Sequence, residues 1–200
     1  MSGNTRGVSP ATTRLVGGAV CLDLANSIDW GHDGGERPDH TEALSTPEDL
    51  AVWAARLGLA TATETETWTT ARELQAIREL RRAIHRTFGS IAAGEDPPAS
   101  LTSALMTRYA EAIAAARLDR DDDRWRIAWP AGDARGIRFA AAVSAAELLT
   151  DPARLARVRI CPGENCGWLF VDTTGRRRWC SMEVCGSRAK MRRLYARRGR

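Results

Sequence analysis

Four of the five cysteines in this 200-residue chain crowd into one stretch, as Cys161-x4-Cys166-x13-Cys180-x4-Cys185. Each pair can wrap one edge of a tetrahedron, and the loop between the pairs brings the two edges together. The pattern therefore predicts one four-thiolate zinc site. All four positions are filled by sulfur, so the zinc is expected to be structural rather than catalytic. A glycine follows each pair, Gly167 and Gly186. It lets the backbone turn sharply behind the thiolate. A redox switch through the same thiolates is the alternative. The first twenty residues lack a basic head and an apolar core, so no signal peptide is expected and the chain reads as cytoplasmic. In that setting clustered cysteines are metal ligands rather than disulfides. Cys21 stands alone and reads as a small buried hydrophobe.

Around the cysteines the charge changes sign. Residues 154–200 carry a net +10 and residues 1–153 a net −6. This divides the chain into a helical domain over 1–153 and a basic zinc module over 154–200, and it points the module at a polyanion. Trp168 to Val171 reads as a strand, Asp172 to Gly175 as a turn and Arg176 to Trp179 as a basic return strand. A helix studded with Arg188, Lys190, Arg192, Arg193, Arg197 and Arg198 follows. Trp168, Phe170 and Trp179 are expected to form the module's small core, although aromatic rings could also stack on bases. So short a segment builds little core, and a metal supplies the rest.

The first domain reads as mostly helical. Leu22, Leu24, Ala25 and Ile28 fit a short buried helix within 15–29, and glycine-rich residues 31–44 fit a loop. Thr46-Pro47-Glu48-Asp49 opens a helix, with Thr46 as cap, Pro47 at the first position and acids at the positive dipole end. Apolar steps of three and four place a long helix over 64–92 and another over 99–117. Trp53 and Trp68 are expected in the core. Arg124 to Trp129 alternates as a strand, Pro130 to Asp133 turns, and the acidic run Asp119 to Asp123 reads as a solvated loop. An alanine-rich helix over 137–149 completes the domain.

One polar cluster stands beside an apolar segment: Asp23, Asn26, Ser27, Asp29 and His32. The first three would share a helix face and could line a small-molecule pocket. The plainer reading is capping and buried hydrogen bonding. His32, His40 and His85 have no metal spacing, and His85 reads as a surface or interhelical residue. No nucleophile–base set or phosphate loop appears, which argues against an enzyme. No apolar run approaches the roughly 18 residues of a membrane helix, so no membrane partner is expected.

The runs Cys-Gly-Trp-Leu-Phe-Val-Asp, Arg-Arg-Arg-Trp-Cys-Ser-Met and Cys-Gly-Ser-Arg-Ala-Lys-Met-Arg-Arg between Cys161 and Arg193 resemble the CGNR zinc finger. Here the eponymous motif is Cys185-Gly186-Ser187-Arg188, with serine for asparagine. Asp172 to Trp179 is about two residues shorter than that family's pattern. Cys21 to Ser27 and the helix opening at Thr46 resemble ABATE, a family named for stress-induced transcription regulation. The resemblance implies a bacterial DNA-binding transcription regulator with an N-terminal sensing domain. Its zinc finger would put Arg176, Arg177, Arg178, Arg188, Lys190, Arg192 and Arg193 on nucleic acid, with DNA favoured over RNA. A small-molecule effector on the first domain and a homodimer suited to a palindrome are further expectations. The alternatives are an RNA- or ribosome-associated binder, a protein-interaction zinc module, or an enzyme localised by its finger.

Overall fold

In the computed structural model the described residues are 9–31, 34–37, 42–59, 70–129 and 135–198. His32, His40, Trp68, residues 64–69 of the expected long helix and the expected turn at 130–133 lie outside them. The fold is mostly α with two small antiparallel hairpins, as its sequence pattern implies. No helix among the described residues is long and apolar enough to cross a membrane.

Helix α1, Val20–Ala25, is short and almost wholly buried. Helix α2, Pro47–Arg56, starts as its chemistry dictates. The Thr46 side chain accepts from Asp49 N, and the Asp49 carboxylate accepts from Thr46 N in return. This reciprocal capping box satisfies two amides that the helix cannot pair. Helix α3, Ala71–Ala93, is capped by Thr70 and closed by Gly94 at φ 80°. It buries Leu74, Ile77, Leu80, Ile84 and Phe88 in one stripe. Arg81 is buried too, at 1% exposure, because Glu36 and Glu42 both meet its guanidinium at 2.8 Å. Two carboxylates and the Ser27 hydroxyl supply the partners that make a buried cation tolerable.

Helix α4, Ala99–Ala114, ends three residues before its expected limit. The acidic run is not a loop. Strand β1, Arg117–Asp121, pairs with β2, Arg124–Ala128, and only Asp122 and Asp123 make the turn. Asp119 is held in the ladder opposite Arg126, with Arg117 Nε 2.8 Å away, so charge pairing offsets the poor strand propensity of aspartate. Helix α5, Gly136–Thr150, lies against α4 and α1, and the Asp151 side chain caps the one-turn helix α6, Pro152–Leu155.

The basic module is built differently from its expected outline. Strand β4, Leu169–Val171, pairs with β3, Val158–Ile160, which precedes the first cysteine. Residues 176–179 form no strand. Period-two alternation then sorts β4 between two cores. Leu169 and Val171, with Val158, join the main core of α1, α2, α3 and α5. Phe170 turns the other way and packs with the four cysteines. After a π-helical turn, Met182–Gly186, the chain ends in helix α7, Ser187–Arg198.

Candidate metal centre and nucleic-acid interface

The loop before β4 carries Cys161 and Cys166, the segment entering the π-helical turn carries Cys180, and the turn itself carries Cys185. All four are buried, and their sulfurs lie within 4.8 Å of one another. Cys180 Sγ is 3.6 Å from both Cys166 Sγ and Cys185 Sγ. Four zinc–sulfur bonds of about 2.3 Å at tetrahedral angles require sulfurs about 3.8 Å apart. The cluster fits one structural zinc, and its all-thiolate donor set leaves no position for substrate. Packed this closely, the thiols titrate as a group. Hydrogen bonding from Cys166 and then Cys180 pulls Cys161 down, while Cys166 is pushed up by its bond to Cys161. A divalent cation replaces the shared protons and relieves that competition.

The backbone is tailored around the sulfurs. Gly167 sits at φ +61°, and a Cβ there would lie 2.7 Å from Trp30 Cβ. Gly163 is as tightly placed, since its Cβ would stand 2.9 Å from Cys185 Sγ. The Pro162-Gly163 pair was the available sequence signal for that second position. Cys180 N donates to Cys161 Sγ at 3.4 Å.

The finger is latched to the helical domain by buried polar groups. Asn26 acts as a side-chain strand: its Nδ2 donates to Leu169 O and its Oδ1 accepts from Leu169 N, both at 2.8 Å. Trp30 N donates to Cys166 O, and Trp168 Nε1 donates to Ile28 O. His85 is buried, not at the surface, and stacks on Trp30 with ring centroids 3.7 Å apart. Its Nε2 lies 2.9 Å from Gly167 O, which can only accept, so Nε2 carries the proton. Burial pushes the His85 pKa down to about 4, so the ring is neutral near pH 7.

Asp23, Asn26 and Ser27 are all buried, but they do not share a helix face: α1 ends at Ala25, and each side chain turns inward to a different partner. Asp23 Oδ1 accepts from Gly17 N at 2.8 Å, and burial pushes its carboxyl up to about 6. Ser27 Oγ donates to Leu24 O and accepts from Arg81 Nη1. Cys21 is wholly buried, and desolvation raises its thiol to about 12.

The basic residues divide into two groups. Arg177 is spent internally: it donates to Val16 O, Cys180 O and Trp179 O and lies over the Phe170 ring at 4.3 Å. Arg192 pairs with Glu164, and Arg178 lies over Trp179. Arg176, Arg188 and Lys190 are exposed, and Arg193 Nε turns back to Ala189 O. Helix α7 also exposes Arg197 and Arg198, the last two cations of the basic helix that the sequence predicts.

Comparison with family models finds two matches. The ABATE model, described as "Putative stress-induced transcription regulator", matches residues 18–152. The CGNR zinc finger model matches residues 157–198. No curated protein matches the chain.

Proposed function

The chain belongs to the ABATE family and carries a CGNR zinc finger, and on that premise we propose that it is a DNA-binding transcription regulator of bacterial type. The observation that carries this reading is helix α7. It holds six cations and no acid within Ser187–Arg198, and all but Ala189 are exposed. Such a surface neutralises phosphates and releases their counterions. Cys161, Cys166, Cys180 and Cys185 hold the zinc that orders it. Arg176, Arg178, Arg188, Lys190 and Arg193, with Arg192 after release from Glu164, make the phosphate contacts. Arg guanidinium suits them because its fork gives two parallel hydrogen bonds.

The N-terminal part, in this reading, senses a small effector. A recess of about 490 Å³ supports it, lined by His85, Arg86 and Gly89 of α3 and by Cys161 and Gly167 of the finger. A ligand there would touch both parts at once. Two such chains would suit a palindromic site.

The test is binding of the zinc-loaded chain to duplex DNA and to RNA across a salt series. The expected result on DNA is a linear fall of log affinity with log salt, of slope about −0.9 per phosphate neutralised. Tighter binding to RNA would replace DNA as the partner, and no binding at low salt would refute the reading.

A further inference from the structure

Helix α7 is amphipathic the wrong way round. Ala189 is its only buried residue, yet Met191, Leu194 and Tyr195 are 45%, 39% and 63% exposed. At about 3.6 residues per turn these three share the side away from Ala189. Arg188 and Arg192 border that side on one flank, Lys190 and Arg197 on the other. An apolar stripe pointing into solvent between two basic rows has no role in folding the module. None of the three packs in a described core cluster.

The stripe also edges a recess of about 550 Å³. Arg188, Met191 and Tyr195 form one wall, and Asp29, Glu164 and Asn165 line it too. Arg188 and Arg192 also line the recess and balance Asp29 and Glu164, with Glu164 paired to Arg192, so the recess itself carries no excess positive charge to hold a phosphate. Phosphates belong on the flanking cations instead.

We propose that the stripe and recess receive an unstacked nucleobase, from a single strand or a locally opened duplex, with Tyr195 as its stacking platform. The proposal rests on the nucleic-acid reading above and adds the mode of engagement. Charge complementarity selects the occupant: an apolar surface framed by arginine and lysine on both sides fits bases attached to phosphates. Aromatic stacking is tolerant of sequence, and apolar side chains inserted at a base step favour easily opened sites.

The experiment uses the full, zinc-loaded chain and three labelled DNA probes of about 20 nucleotides per strand: a regular duplex, the same duplex with a central bulge, and one of its strands. Fluorescence anisotropy is recorded for each across a salt series. The expected result is binding of the bulged duplex and the single strand about tenfold tighter than the regular duplex at matched salt. Tyr195→Ala should abolish that preference, a loss of about tenfold on the bulged duplex and the single strand, with the salt slope on each probe unchanged. Tyr195→Phe should retain it. Arg188→Ala should instead lower the duplex slope by about 0.9. Equal binding of all three probes, unaffected by Tyr195→Ala, would overturn this inference and leave the nucleic-acid reading standing. Absence of any binding would remove both. A mass that doubles with concentration and reverts in Tyr195→Ala, with no base preference, would assign the stripe to self-association and overturn the proposal.

Discussion

Arginines adjacent in sequence do opposite work in this protein. Arg177 closes three backbone carbonyls around the cysteine cluster, while Arg176 faces solvent. Arg177→Ala should strip those carbonyls of their donor, cost about 2–3 kcal/mol and weaken zinc retention, as read by chelator competition. Arg188→Ala should leave melting and zinc unchanged and reduce only the salt dependence of nucleic-acid binding. A basic run in the sequence offers no means of separating the two roles. Asp23 gives a pH signature. Its carboxyl is raised from about 3.8 to about 6 by burial. Folding therefore disfavours the ionised form, and the contribution present at low pH is lost as pH rises through 6. Asp23→Asn keeps an acceptor for Gly17 N. It should be more stable than the parent by about 2 kcal/mol at pH 7.5 and nearly equal at pH 4, measured by urea unfolding at the two pH values.

The elements were legible where local chemistry set them. The α2 capping box, the α3 stripe and the Asp151 cap each use residues within four positions of one another. The hairpin of the finger was not. A basic run after the Asp172 turn has the form of a return strand, but β4 had a better partner in β3, whose Val158 carries an apolar side chain into the main core. Likewise the acidic run became β1 because β2 offered arginines across the ladder. The knuckle depends on one backbone position. Gly167→Ala would place a methyl 2.7 Å from Trp30 Cβ at a positive φ. It should cost about 2–4 kcal/mol in thermal or urea unfolding. Gly175→Ala, at φ +70° with nothing within 4 Å, should cost only about 1–2 kcal/mol.

Across the whole molecule, finger and helical domain share a core. Val158, Leu169 and Val171 are buried among the helices, and Asn26 and His85 bond to the backbone beside the zinc ligands. Zinc removal should therefore not simply melt a detachable tail. A chelator should lower the main helical transition, followed by far-UV circular dichroism, by about 10 °C or more, since several kcal/mol of apolar burial depends on the finger. An unchanged helical transition would show that β3 and β4 stay docked without metal.

Cysteine spacing, charge asymmetry and apolar periodicity were enough to establish the metal, the helical body and the basic end, because each depends on residues close in sequence. What Asn26, His85 and Arg177 do came from the assembled fold. Their partners are 143, 82 and up to 161 positions away. A buried amide, imidazole or guanidinium can satisfy its hydrogen bonds in many ways, and packing alone selects among them.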